Sequence, residues 1–238
     1  MTPLEENLAC LEEAIQAACR RANRPCGEVE LMAVSKTFPA SAISEAASLG
    51  MTLFGENRVQ EFASKASDLA ASAIRVHLIG HLQSNKAARA AELFHGIDSV
   101  DSLRLAERLN EAAGKLAKRL PILIEVKLSP EETKAGLDPE SAEAETLLER
   151  IPDLANLEAR GLMTIAPWGV SEDITRACFR SLRAWRNRWA QAHPRLSLDT
   201  LSMGMSGDFA IAIEEGATRI RIGTAIFGKR APWQGPPE

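Results

Sequence analysis

Lys36 closes an apolar run, Val29-Glu30-Leu31-Met32-Ala33-Val34, with only Ser35 between. A lysine at a strand end can be partly desolvated, which lowers its pKa and frees the amine to attack an aldehyde. The same position equally suits a lysine that lays its stem on the strand and sends its charge to water. Position alone leaves both readings open. Far along the chain, Ser202-Met203-Gly204-Met205-Ser206-Gly207-Asp208 forms a turn of small residues that runs into a helix. A second glycine turn with a hydroxyl follows at Arg221-Ile222-Gly223-Thr224. Backbone amides at such turns, joined by hydroxyls, suit a phosphate group. A strand-end amine and two phosphate-type turns together point to a phosphorylated ligand.

Other reactive side chains carry less. His77 lies within a strand and reads as a core histidine. His81 stands just past that strand and is either a neighbour of the site or structural. Asp98 and Asp101 could be paired carboxylates, but Asp101 followed by Ser102 reads better as a helix start. There is no Ser-His-Asp order and no metal-ligand cluster. Cys10, Cys19, Cys26 and Cys178 form no CxxC pair and read as reduced thiols.

These residues must be held by the elements around them. A helix over Leu4–Ala22 is followed by strand candidates at 29–34, 52–54, 76–79, 96–100, 122–126, 161–165, 198–203 and 218–222. Helices are expected between them, at 40–49, 59–69, 85–93, 102–118, 139–150, 172–191 and 208–215. In the helix after Ser171, its expected N-cap, Ile174, Cys178, Leu182, Trp185 and Trp189 share one face. Eight alternating strand–helix units predict a single (β/α)8 TIM barrel with an extra N-terminal helix, spanning residues 1–230. Residues 231–238 read as a disordered tail. A doubly wound open sheet is the alternative, but no GxGxxG follows the first strand. In such a barrel chemistry gathers at the C-terminal strand ends, and phosphate sits in the loops after strands seven and eight. Both glycine turns fall there.

Composition sets limits. The chain has 238 residues, 45% hydrophobic, with a net charge of −4. No basic excess points to nucleic acid or to a membrane surface. The first residues lack the basic stretch and apolar core of a signal peptide, and no run approaches the roughly 20 apolar residues that span a bilayer. The expectation is a cytoplasmic protein.

Six stretches then resemble the pyridoxal phosphate homeostasis protein family, in that family's order. They are residues 33–37 (AVSKT), 54–61 (FGENRVQE), 77–86 (HLIGHLQSNK), 160–165 (RGLMTI), 201–206 (LSMGMS) and 221–228 (RIGTAIFG). The fold this implies is the barrel domain of alanine racemase, standing alone. The resemblance implies pyridoxal 5′-phosphate as cofactor, held as a Schiff base on Lys36, with Asn57 beside the ring. It places Ser206, Gly223 and Thr224 on the phosphate, with Ser202 and Met203 shaping that loop, and Arg221 at the pyridine nitrogen. An arginine keeps its proton, so that nitrogen stays unprotonated and the cofactor is a weaker electron sink. The stretch Ala166-Pro167-Trp168-Gly169-Val170 departs from the family in being shorter and more apolar.

Two functions compete. One is a PLP-dependent amino-acid racemase-like enzyme. Racemases of this fold use a tyrosine from a second domain, and the chain contains no tyrosine; His81 would have to stand in. The other is a non-catalytic carrier that serves vitamin B6 homeostasis and releases the cofactor to PLP-dependent apoenzymes. A barrel enzyme without the cofactor, acting on a phosphorylated metabolite, is a third reading. The missing racemase dimer surface favours a monomer.

Overall fold

Strands of three to seven residues recur through the chain, each followed by a helix, in a computed structural model that describes residues 2–70, 72–129 and 135–228. After α1 (Pro3–Arg21) come β1 (Glu30–Val34), α2 (Ala40–Ser48), β2 (Leu53–Glu56), α3 (Val59–Ala63), β3 (Arg75–Leu78) and α4 (Ala87–Leu93). The series continues with β4 (Gly96–Val100), α5 (Leu103–Lys115), β5 (Leu120–Glu125), α6 (Ala142–Arg150), β6 (Leu157–Met163) and α7 (Glu172–Ala192). It ends with β7 (Thr200–Ser202), α8 (Phe209–Glu214), β8 (Arg219–Ile222) and a short α9 (Thr224–Phe227). The strands run parallel in sequence order, and β1 pairs with β8, so the sheet closes as a barrel. The expected (β/α)8 barrel is therefore the fold, and the open sheet is excluded.

Strand alternation divides the interior in two. Ala33, Phe54, Leu78, Ile97, Ile122, Ile124 and Ile220 join the large core between strands and helices. Met32, Val34, Leu53 and Ile79 form a smaller cluster of their own, on the opposite parity and so inside the barrel. Deeper in that interior, His77 and Arg219 both hold the buried Asp98, at 2.8 and 3.0 Å. His77 is thus a core histidine, as expected. Asp98 and Asp101 are not a carboxylate pair, because Asp101 hydrogen-bonds to His81 instead. Ser102 caps α5 by accepting from the Leu105 amide.

The N-terminal helix starts on a reciprocal cap between Thr2 and Glu5. It packs against α8 and α9. Asn7 donates to the Ile226 carbonyl at 2.9 Å, and Arg24 to those of Ile213 and Ala217. The start of the chain thereby covers its last β/α unit.

Some local expectations change. The helix foreseen over 59–69 ends at Ala63 and resumes as a 3-10 turn at Ala66–Leu69. Strand six begins at Leu157, four residues early, because its pairing with β5 extends down to Leu120. Ser171 stands at the N-cap of α7, yet its side chain makes no capping hydrogen bond. Cys178, Leu182 and Trp189 are buried on that helix, but Ile174 is exposed and Phe179 fills the inner face instead. The tail at 231–238 lies outside the described residues. Among the described residues, no helix is long and apolar enough to cross a membrane.

Candidate functional site

Parity decides which strand-end residues can meet. Ser35 and Glu56 turn outward, where the Ser35 hydroxyl donates to Glu56 Oε1 at 2.7 Å. Lys36 and Asn57, one residue on, turn inward. The same rule sends Glu125 and Arg221 inward and Ile124 and Ile222 into the outer core. The inward residues line a cavity of about 670 Å³ at the C-terminal mouth of the barrel. That volume falls within the range of small-molecule sites.

One end of the cavity is built by the β7–α8 and β8–α9 loops, which contribute Ser206, Gly207, Gly223 and Thr224. Gly223 also allows β8's exit to pass close to β1: a Cβ there would stand 3.2 Å from the Val34 carbonyl oxygen. Hydroxyls and short backbone turns face the cavity at this end, a donor set suited to a phosphate.

Arg221 enters from β8. One nitrogen, Nη1, donates to the Ser202 carbonyl and hydroxyl, and Nη2 donates to the Thr164 carbonyl at 2.8 Å. Burial lowers its proton affinity, while Asp98, Glu125 and Asp208 act the other way. An arginine starts high enough to remain charged.

Lys36 sits on a stiffened turn. Thr37, next to it, has φ of 70°, a left-handed conformation that a β-branched residue adopts at some cost. The Thr37 amide donates to Glu61 Oε1, which holds the turn. Glu61 is held in turn by Lys65, whose Nζ donates to Glu61 Oε1 at 3.0 Å, Glu56 Oε1 at 2.9 Å and the Phe38 carbonyl at 2.9 Å. Burial pushes the Glu56 carboxyl above the usual range, against the pull of Lys65 and Ser35. A buried lysine thus ties β1's exit loop to β2 and α3.

Of the residues foreseen for the site, Lys36, Asn57, His81, Ser206, Arg221, Gly223 and Thr224 line the cavity. Ser202 does not; it is buried and anchors Arg221 from behind. Met203 does not either. It is fully buried in the outer core, because its parity is opposite to that of Ser202. His81 is exposed at the rim, its Nδ1 3.1 Å from Asp101 Oδ2.

Two residues were missed. Lys65 is the clamp just described, and nothing in its local sequence separates it from a surface lysine. Glu125 is the other. It ends β5, is 5% exposed, lines the cavity, and its Oε2 has no hydrogen-bond partner. A glutamate at inward parity in the apolar run Ile122-Leu123-Ile124-Glu125-Val126 was the signal available. Trp168, in the apolar loop, lies at the cavity's edge and is 86% exposed.

A closed parallel barrel with a strand-end lysine and two hydroxyl-bearing glycine turns defines a protein of the alanine racemase barrel class, and the model of the alanine racemase N-terminal domain matches residues 7–231. The pyridoxal phosphate homeostasis proteins of Pasteurella multocida and Escherichia coli are 42% and 41% identical to this chain over 232 and 234 residues. Those matches cover 95% and 97% of this chain and 97% and 98% of the relatives. The chain belongs to the pyridoxal phosphate homeostasis protein family. Among solved structures, PipY of Synechococcus elongatus with pyridoxal phosphate bound superposes with a TM-score of 0.84 at 44% identity, over 94% of this chain and all of that one. An alanine racemase of Clostridium difficile superposes at 0.74 with 16% identity, over 98% of this chain and 58% of its own, a likeness of fold.

Proposed function

We propose that the protein binds pyridoxal 5′-phosphate in the barrel cavity, covalently through Lys36, and serves the homeostasis of that cofactor as a carrier. The observation that carries this reading is the placement of Lys36 and the Ser206–Gly207 and Gly223–Thr224 turns in one cavity. A relative of the same family is described with that cofactor bound. The residues fit the group: hydroxyls and amides at one end for a phosphate, an amine on the neighbouring strand, and a fixed cation between.

Pyridoxal phosphate supplies an aldehyde that condenses reversibly with a primary amine, with loss of water. Lys36 Nζ is the amine, and the Glu61–Lys65 clamp orients the turn that presents it. Ser206, Gly223 and Thr224 bind the phosphate. Arg221, tied to Ser202 and Thr164, faces the ring nitrogen as a donor that keeps its own proton. Asn57 lies beside the ring. Release to apoenzymes would follow displacement of Lys36 by another amine.

The test is spectroscopic. The purified protein mixed with the cofactor is expected to be yellow and the Lys36→Ala variant colourless. Borohydride reduction and peptide mapping should place the pyridoxyl group on Lys36; a label found only elsewhere would overturn the assignment. The racemase reading keeps one support, the His81–Asp101 pair at the cavity rim. Conversion of an L-amino acid to its D-form at about 1 per second or faster would establish that reading and displace the carrier.

A further inference from the structure

Glu125 is a carboxyl in the wrong place for a structural role. It is almost wholly buried, it faces the cavity, and its Oε2 has no hydrogen-bond partner. A buried polar group left unpaired is destabilising. Its neighbours in sequence, Ile124 and Val126, are apolar and belong to the outer core. An apolar residue at position 125 would complete the strand at no such penalty.

We propose that Glu125 is a proton-carrying partner of the bound cofactor: it enters the complex as the neutral acid, donates a hydrogen bond to the anionic ligand, and so makes cofactor binding take up one proton. This inference rests on the cofactor assignment above and deepens it.

The electrostatics of the cavity set the direction. Asp101, past the end of β4, repels a second negative charge, and Arg221 from β8 attracts one. Lys36 from β1, His81 from the loop after β3 and Lys127 after β5 also face the cavity. From β6, Met163 pairs with Glu125, and Thr164 follows it; neither titrates. Burial is the largest influence on Glu125 and pushes its carboxyl up to about 7, with Asp101 adding to the rise and Arg221 opposing it. A ligand carrying a phosphate and a phenolic oxygen adds negative charge and displaces water, and both act further in the same direction. Above that range the free protein must regain a proton to bind, so affinity falls with pH.

The experiment compares cofactor affinity of the wild type and Glu125→Gln by absorbance titration from pH 6 to 8.5. Glutamine keeps the donor and cannot ionise. The wild type is expected to bind more weakly relative to Glu125→Gln as pH rises, by about tenfold per unit above its titration point. Parallel profiles overturn the inference. Should Glu125→Gln fail to fold by circular dichroism, infrared difference spectra of the wild type decide. Adding pyridoxal phosphate at pH 8 must then produce a new protonated-carboxyl C=O band, and its absence overturns the inference equally. If neither protein binds the cofactor at any pH, the carrier reading itself fails.

Discussion

Arg221 and Ser202 are joined twice through one nitrogen: Nη1 donates to the serine carbonyl at 2.7 Å and to its hydroxyl at 2.8 Å. The guanidinium is therefore built into the β7–β8 seam before any ligand arrives. Lysine cannot reproduce this fork. Arg221→Lys is expected to lower stability by about 1–3 kcal/mol, since at least one buried carbonyl loses its donor. Urea unfolding of the cofactor-free protein measures it.

Gly80 keeps β3's exit in contact with Asn57. A Cβ on it would lie 2.3 Å from the Asn57 carbonyl oxygen, which is backbone and cannot swing aside. Gly80→Ala should cost about 1–3 kcal/mol and weaken cofactor binding by displacing Asn57. Gly27→Ala, where nothing lies within 4 Å, is the control and should leave cofactor titrations unchanged.

Two lysines near the first strand have opposite duties. Lys65 holds Glu56 and Glu61 with its charge buried. Lys65→Met strands Glu56 and is expected to destabilise the protein by about 3–5 kcal/mol. Lys36→Ala should abolish the yellow colour, read by absorbance after mixing with the cofactor.

Asp98 makes stability depend on acid. Burial alone would raise its carboxyl, but His77 and Arg219 outweigh that and hold it below the usual aspartate value of 3.8. The stabilisation is therefore complete above 3.8 and is lost as pH falls through the lower folded value. Asp98→Asn should be less stable than wild type at pH 7 by about 3–5 kcal/mol. Urea midpoints taken at decreasing pH should show that gap closing below 3.8.

The barrel was legible because its signals are local and repeated: eight apolar runs with seven helical stretches between them. The cavity lining was legible where a residue stands on a recognisable turn, as at Lys36, Ser206, Gly223 and Thr224. Adjacent residues that face opposite ways were harder to place: Ser202 and Met203 share a motif, yet one supports Arg221 and the other packs under the helices. Lys65 lay beyond reach for a different reason. Its meaning comes from burial and from partners on other elements, Glu56 and Glu61, which the local sequence does not carry.

The pairing of β1 with β8 sets Met32 opposite Arg221 and Ala33 opposite Ile222. The amine thus leaves from the first strand made and the arginine from the last. A growing chain that has not reached residue 224 has Lys36 and the Ser206–Gly207 turn but lacks the Gly223–Thr224 turn. The cavity is consequently complete only once β8 and its exit turn have been made. On the reading proposed above, a cofactor joined to Lys36 and held by the Gly223–Thr224 turn would bridge β1 and β8, adding a link across the pairing that closes the barrel.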